Sequence, residues 1–365
     1  MKIFAGPFIG EFGWELVFWH GWLRKIKREI YPDSYFIVSS FPGREPLYEF
    51  ADEFISLPDF YLNNNFSERD YFVDWEIYDL EKQKKIFNEM RKLIDFYHNK
   101  LNENDINFIY NYPQKKFSRS LFNRIQNKIK NIISINHDLT QKDLKKVLTS
   151  FNKHAGIKNP DPFILNPVNR EIKDLYNPQY PNLVDQKWIK LKPTKLGIKL
   201  RDDILSSFNY KKKPIFTIFP RKRLIRRKDK NWEENNWKNF IQMLIKKYDA
   251  IIVLAGTPKG AYFAHEANSA NTINIINSSK TNILDLQLAF LEISKIAIHG
   301  RSGSCNLSLQ NGCPTFMAGP EEDRKAICVD QNPLNSKIFY YTEFGVNPTP
   351  EKLFEVFVTY YDKLY

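Results

Sequence analysis

The sequence predicts an α/β fold with two Rossmann-like doubly wound domains. Short apolar segments typical of buried strands alternate with helical segments in both halves of the chain, as expected for parallel sheets built from βαβ units. A length of 365 residues is comfortable for two domains. Prolines accumulate between residues 159 and 195, where we expect the connection. The predicted domains are therefore 1–195 and 196–345, and residues 346–365 form a final helix that could pack on either domain.

The apolar pattern of the first domain predicts strands and helices in alternation. The strands are expected at residues 1–5, 34–39, 54–57 and 107–112, and the helices at residues 14–30, 45–53 and 80–101. The second domain has a cleaner pattern. Its strands are expected at residues 214–220, 250–256, 272–276, 295–300 and 314–319, and its helices at residues 235–248, 283–293, 302–311 and 351–364.

The charge of the chain favours anionic partners. Fifty-four Lys and Arg residues against 42 Asp and Glu residues give a formal net charge of +12, which suits nucleotides, nucleic acid or an anionic membrane surface. Residues 114–130 predict a basic amphipathic helix. Its functional interpretation is a face for an anionic acceptor or a membrane surface, and its structural one, which we favour, is an ordinary solvated face.

The cysteines and the apolar segments predict a cytoplasmic protein. Cys305, Cys313 and Cys328 lack C-x-x-C spacing, so we expect neither a disulfide framework nor a zinc site. Glu11 and Glu15 interrupt the first apolar stretch, which argues against a signal peptide. Nowhere do 18 uncharged apolar residues follow one another, so no membrane span is expected.

The first candidate site is a glycine turn between the first strand and the first helix. Gly10 and Gly13 bracket Glu11, and Trp14 and Glu15 begin the helix. Ligands bind at the carboxyl ends of strands in open α/β sheets, and glycine permits close backbone approach, so the turn could hold Glu11 against a substrate. Alternatively, it is a tight turn with an acid favoured by the helix dipole.

The second candidate is a basic loop that directly follows a core strand. The loop contains seven cationic residues: Arg221, Lys222, Arg223, Arg226, Arg227, Lys228 and Lys230. The guanidinium group grips phosphate oxygens in a bidentate way, which favours phosphate binding over a merely solvated loop.

Three further turns follow strands of the second domain. In the segment 299–304, free N–H groups of Ser302, Gly303 and Ser304 could bind an anion, or Ser302 could only cap the helix. Gly256 ends another strand in a Gly-Thr-Pro turn. The acidic turn at residues 319–324, with Glu322, either contacts a ribose or sugar hydroxyl or starts a helix. No D-x-D pattern and no histidine spacing indicates a metal.

Several of these segments resemble one family of enzymes. The strand followed by P-R-K-R, then K-N-W-E-E-N-N-W-K-N-F, A-I-I-V-L-A-G-T-P and H-G-R-S-G-S-C-N-L-S-L-Q-N-G-C-P-T-F-M-A-G-P, resembles the donor domain of ADP-heptose:lipopolysaccharide heptosyltransferase-like enzymes. The resemblance covers residues 214–320 and, thinly, residues 1–22. Gly10-Glu11 stands at that family's Gly-acid turn, which usually carries Asp. The Arg-rich loop is also similar to the nucleotide-sugar loop of fucosyltransferase-like enzymes.

The resemblance implies a GT-B architecture, with the two domains facing across a cleft, and a glycosyltransferase of hexosyl or heptosyl type. It implies an inverting, metal-independent reaction without a cofactor, in which a nucleotide-diphosphate sugar is the co-substrate and a glycan or glycolipid hydroxyl the acceptor. Glu11 would be the general base, and Gly10, Gly13, Trp14 and Glu15 would lie on the acceptor side. The donor would be bound by Arg221, Lys222, Arg223, Lys228, Gly256, Arg301, Ser302, Gly303, Ser304 and Glu322.

Other functions fit parts of the pattern. The positive charge and the aromatic residues also suit a nucleic-acid-binding or nucleic-acid-glycosylating protein. A degenerate protein of the same fold would bind nucleotides without chemistry. For the glycosyltransferase we expect a cytoplasmic location, with peripheral contact at the inner face of an anionic membrane as a further option.

Overall fold

A computed structural model of the protein describes most of both halves of the chain. The described residues are 2–9, 12–63, 92–93, 95–97, 99–101, 106–110, 166–167, 187–210, 212–223, 228–278, 283–343, 345 and 347–364. The chain divides into two compact units, of which the first comprises Met1–Phe41 and Tyr48–Lys187 and the second Pro42–Leu47 and Trp188–Tyr365. The second unit thus begins at Trp188, earlier than the predicted residue 196, and includes a short segment from the first half.

Unit 1 contains a mainly parallel sheet. Its described strands are β1 (Lys2–Ala5), β2 (Tyr35–Ser40), β3 (Glu53–Ser56), β4 (Ile106–Tyr110) and β5 (Asn166–Pro167). Their order is β3-β2-β1-β4-β5; β1 pairs in parallel with both β2 and β4, and β5 is antiparallel to β4. The strand order therefore reverses direction between β1 and β4, which is where such sheets bind ligands.

The first helix of unit 1, α1, runs continuously from residue 12 to residue 30. It consists of α-helical segments Phe12–Trp14 and His20–Lys25 and π-helical segments Glu15–Trp19 and Ile26–Ile30. A short helix α2 (Asp59–Leu62) follows β3, and helical residues lie between 92 and 101. The rest of the helix predicted at 80–101 and the basic helix predicted at 114–130 lie outside the described residues.

The helix predicted at residues 45–53 is wrong. Only a 3-10 turn forms at Glu45–Leu47, and β3 begins at Glu53. The reason is Asp52, whose N–H donates to Phe36 O at 2.9 Å and whose carboxylate accepts from Phe36 N at 2.8 Å. These bonds to β2 hold the chain extended at the point where a helix would have to continue.

Unit 2 contains an entirely parallel sheet of six described strands. They are β6 (Ile215–Phe219), β7 (Ile251–Leu254), β8 (Thr272–Asn274), β9 (Ile296–His299), β10 (Thr315–Ala318) and β11 (Ile338–Tyr341). The order is β11-β10-β9-β6-β7-β8, and every pairing is parallel. Counted within the unit this is the 3-2-1-4-5-6 order of dinucleotide-binding sheets, with its switch point between β6 and β9. The sequence pattern did not predict β11.

The described α-helices of unit 2 are α3 (Lys195–Leu205), α4 (Glu234–Tyr248), α5 (Ile283–Ile293), α6 (Cys305–Asn311) and α7 (Pro350–Leu364). The last four of these helices fall close to their predicted positions. α6 begins three residues later than predicted, because residues 302–304 form a turn in which Ser304 N donates to Ser302 Oγ at 3.3 Å.

The final helix α7 packs into the core of unit 2. Phe357 is fully buried, and its ring lies 5.8 Å from that of Phe216, 6.0 Å from that of Phe240 and 5.2 Å from that of Phe316. Edge-to-face rings of this kind add to the hydrophobic stabilisation of their burial. The sequence allowed this helix to pack on either domain, and in the structure it packs on the second.

Candidate functional site: the switch point of unit 2

The carboxyl ends of β6 and β9 meet at the switch point of the unit 2 sheet. Phe219 and His299, the last residues of these strands, are register partners, and Gly300 N donates to Phe219 O at 3.2 Å. The two loops that the sequence marked as anion-binding therefore leave the sheet side by side. Parallel strand order alone places them there, because the intervening strands β7 and β8 are added on the far side of β6.

Arg221 connects the two loops directly. Its side chain is buried, with 6% of its surface exposed, and Nη1 donates to the carbonyl oxygen of Arg301. Gly300 makes this approach possible: a Cβ there would lie 3.2 Å from both Arg221 Cβ and Trp237 Cζ2, which is tighter than ordinary contacts.

The Arg301 side chain is also nearly enclosed, at 12% exposure. Nη2 forms an ion pair with Asp323, while Nε and Nη1 are buried and have no hydrogen-bond partner among the described residues. Buried donors without acceptors are costly. Guanidinium donors of this kind match the oxygens of a phosphate or carboxylate. The arrangement can therefore accept an anion.

A third buried donor lies beside the same turn. Trp237 from α4 is 2% exposed, and its Nε1 has no hydrogen-bond partner in the part of the chain that the structure describes. Its Cζ2 atom, next to the nitrogen-bearing edge of the indole, borders the backbone of Gly300. Three buried N–H donors at the switch point, Nε and Nη1 of Arg301 and Nε1 of Trp237, thus lack an acceptor among the described residues.

His299 organises the turn that follows β9. Its imidazole is 2% exposed, with Nε2 at 2.6 Å from Ser308 Oγ and Nδ1 at 3.3 Å from Ser304 Oγ. Ser304 Oγ in turn lies 2.5 Å from Ser302 Oγ. Burial lowers the pKa of His299 to about 3, so the ring is neutral near pH 7 and donates from one nitrogen only.

The described parts of the basic loop are held by local contacts. Lys222 N donates to Gly260 O at 2.9 Å, and its Nζ lies 5.3 Å from the centre of the Tyr262 ring, a cation–π contact. Asn231 accepts from Arg223 N at 2.9 Å and donates to Arg223 O at 2.8 Å, which ties both ends of the loop together. Lys228 is exposed on a 3-10 turn (Lys228–Lys230). Arg226 and Arg227 lie outside the described residues.

The remaining predicted donor residues differ in their surroundings. Gly256 follows β7 with φ of 133°, a conformation that favours glycine, and its carbonyl accepts from Gln287 Nε2 at 2.7 Å. Gly303 is half-buried in the turn before α6. Glu322 is exposed, whereas its neighbour Asp323 contacts Arg301. The sequence analysis marked the acidic turn 319–324 but did not predict that Asp323 pairs with Arg301; the signal was an acid in a turn after β10, the strand beside β9.

The predicted acceptor turn is only partly described. Gly10 and Glu11 lie outside the described residues. Gly13 and Trp14 fall in the first turn of α1. Glu15 is fully buried, and its Oε1 accepts from Ser40 Oγ and from Tyr48 Oη, both at 2.5 Å. These contacts hold the Glu15 side chain inside unit 1.

No metal centre and no membrane span is evident among the described residues. No three His, Cys, Asp or Glu side chains of the described chain lie together in a way that could hold a metal ion. A metal-free reaction remains a prediction. No helix in the described ranges is long and apolar enough to cross a membrane. The three cysteines are free thiols.

The fold is of a class seen in a glycosyltransferase of known structure. The chain is similar to a family 9 glycosyltransferase from Veillonella parvula, at 12% identity and a TM-score of 0.52, over 99% of this chain and 97% of the other. Further matches are E. coli ADP-heptose lipopolysaccharide heptosyltransferase II, at 14% identity, TM-score 0.46 and 99% and 98% coverage, and an E. coli heptosyltransferase solved with ADP, at 12% identity, TM-score 0.49 and 99% and 100% coverage.

The similarity to the Veillonella protein confirms the predicted α/β class with two Rossmann-like units. The family resemblance predicted from the motifs is also borne out at the level of fold. No protein-family model matches the chain, and no curated protein sequence matches it.

Proposed function

We propose that the protein is a glycosyltransferase that moves a sugar from a nucleotide-diphosphate sugar to an acceptor hydroxyl. The observation that carries the proposal is the pair of buried arginines at the unit 2 switch point, with the Nε and Nη1 donors of Arg301 lacking an acceptor among the described residues. A diphosphate supplies anionic acceptors at the place where sheets of this order bind nucleotides.

In the proposed reaction the arginines stabilise the leaving group. The acceptor oxygen bonds to the anomeric carbon while the bond from that carbon to the diphosphate breaks, and the nucleoside diphosphate departs with the electron pair. Arg221 and Arg301 neutralise the charge that develops on it, assisted by Lys222, Arg223, Lys228 and the turn of Ser302, Gly303 and Ser304. Gly256 and Glu322 complete the proposed donor site.

The general base in this proposal is Glu11. It takes the proton of the acceptor hydroxyl, with Gly10 and Gly13 shaping its turn. Direct attack on the anomeric carbon makes the reaction inverting, and the arginines serve where other enzymes use a metal. We further propose a glycan or glycolipid acceptor and a cytoplasmic location, with membrane contact as an option.

Nucleotide binding tests the proposal. Thermal-shift screening and calorimetry with UDP, GDP, ADP, CMP and dTDP sugars should identify a donor, and Arg221→Ala should abolish its binding. Arg28→Ala is a matched control, because Arg28 is an exposed arginine of α1 in unit 1. If no nucleotide sugar binds, and if the affinity for duplex nucleic acid falls steeply with increasing salt concentration, the results would instead support a nucleic-acid-binding protein.

A further inference from the structure

The acid that pairs with Arg301 lies on a separate loop. Asp323 ends the 3-10 turn Glu321–Asp323, which follows β10, the strand paired in parallel with β9. Its carboxylate is 23% exposed and forms an ion pair with Arg301 Nη2. A partly buried ion pair of this kind fixes both side chains more firmly than a surface pair does.

The space around the Arg301 stem is also restricted. A Cβ at Gly319 would lie 3.3 Å from Arg301 Cδ and would overlap the hydroxyl of Tyr340. That hydroxyl donates to Pro320 O at 3.2 Å, so the Tyr340 ring is itself held in place. Arg301 is therefore confined by Asp323, by Tyr340 and by the bare backbone of Gly319.

We propose that Asp323 is a positioning residue for the diphosphate site: it holds Arg301 by Nη2, so that the guanidinium group and its buried donors, unpaired among the described residues, are already oriented when the diphosphate binds. The inference rests on the proposed function. A negative charge beside an anion site would by itself weaken anion binding. A carboxylate kept there despite this cost indicates that the orientation of the guanidinium group matters more, as in other preorganised sites.

The two roles of Asp323 predict opposite results. Asp323→Asn makes the site more positive. If Asp323 acted only as a counter-ion, the variant protein would therefore bind inorganic pyrophosphate more tightly than the unaltered protein does. A positioning residue loses affinity, by about tenfold, the order expected for one charge-assisted hydrogen bond. Calorimetry with pyrophosphate, and with UDP, GDP and ADP, shows directly whether the affinity of the variant rises or falls.

Two further variants sharpen the test. Asp323→Glu conserves the charge and changes the reach by one methylene, so a loss of affinity reports geometry even if Asp323→Asn folds poorly. Arg301→Ala should weaken binding as well, and adding Asp323→Asn to it should cause no further loss, since Asp323 acts through Arg301. Glu321→Gln is the matched control, because Glu321 lies in the same turn but is exposed and pairs with Arg324.

The outcomes separate this inference from the proposed function. Unchanged or tighter pyrophosphate binding in both Asp323 variants, with binding abolished in Arg221→Ala, would overturn the positioning role alone. Absence of pyrophosphate and nucleotide binding in the unaltered protein would overturn both. Weaker binding in both Asp323 variants, with no additional loss on the Arg301→Ala background, supports the inference.

Discussion

The ring of Phe219 stacks on the imidazole of His299, with centroids 4.3 Å apart and planes inclined by 10°. These residues end β6 and β9, so the stack lies where the two candidate anion-binding loops begin. A flat apolar ring on one side and serine hydroxyls at both nitrogens keep the imidazole out of water. Its role is therefore structural orientation of the turn rather than proton transfer.

The burial of His299 predicts a pH dependence of stability. Its pKa is about 3 in the folded chain against 6.5 for an ordinary histidine. Between these values the unfolded chain binds a proton that the folded chain does not, so the free energy of unfolding falls as the pH falls below about 6.5. For one proton the slope reaches about 1.4 kcal/mol per pH unit. His299→Gln should flatten the slope, measured by urea unfolding from pH 7 to pH 4.5.

A histidine control accompanies that measurement. His265→Gln removes an exposed histidine of the same unit and should leave the slope of the unaltered protein in place. Equal slopes for the unaltered protein and for His299→Gln would show that His299 titrates alike in the folded and unfolded chains.

Glu11→Gln should separate donor binding from turnover. In the proposed mechanism Glu11 is the general base, a role that contributes about 10²–10⁴-fold to a rate, and the proposed donor site lies in unit 2. We expect turnover in a sugar-transfer assay to fall by this order and the calorimetric affinity for the donor to stay. Glu29→Gln, which changes an exposed acid of α1, is the control. Normal turnover of Glu11→Gln would remove Glu11 from the mechanism.

The buried carboxylate of Glu15 should contribute to the stability of unit 1. Glu15→Gln replaces the carboxyl group that accepts from the hydroxyls of Ser40 and Tyr48, and Tyr48→Phe removes one donor. Each change should lower the free energy of unfolding by about 1–3 kcal/mol. The double variant should lose less than the sum, because the two groups share one contact. Urea unfolding measures this, with the exposed Glu53→Gln as control; unaltered midpoints would contradict it.

Local patterns in the sequence predicted most of unit 2 because its strands are continuous apolar runs between glycine and proline turns. Helix α5 was predicted with its observed bounds. The pattern failed where partners distant in sequence decide the structure. Asp52 joins β2 and so prevents a helix. Strand β11 is the partly exposed segment Ile338–Tyr341, whose partner β10 cannot be identified from local sequence.

The site was predictable to a similar extent. Arg221 and Arg301 were recognised as donor candidates because each follows a core strand. Their contact could not be predicted, since it depends on the strand order. Asp323 lies in the candidate turn 319–324, but its pairing with Arg301 could not be predicted for the same reason, and the exposed Glu322 beside it was named instead. Residue type and chain position indicate the chemistry, but the pairing of side chains follows from topology.

Phe357→Ala should severely destabilise unit 2. The ring is fully buried among Phe216, Phe240 and Phe316, so its removal leaves a cavity that rigid strands cannot fill. A large-to-small change of this kind costs about 3–5 kcal/mol. Thermal and urea unfolding of the full chain measure the loss. Lys363→Ala changes an exposed residue of the same helix and serves as control; equal effects of the two would contradict the packing described for α7.

The strand order of unit 2 determines when the anion-binding loops come together during folding. Arg221 and Arg301 are 80 residues apart in sequence and become neighbours only after β9 has docked on β6. A chain in which only β6, β7 and β8 have formed cannot yet bind an anion between the two loops. A bound nucleotide would stabilise only the complete sheet, so it would slow the proteolysis of fully folded molecules but not of incompletely folded ones.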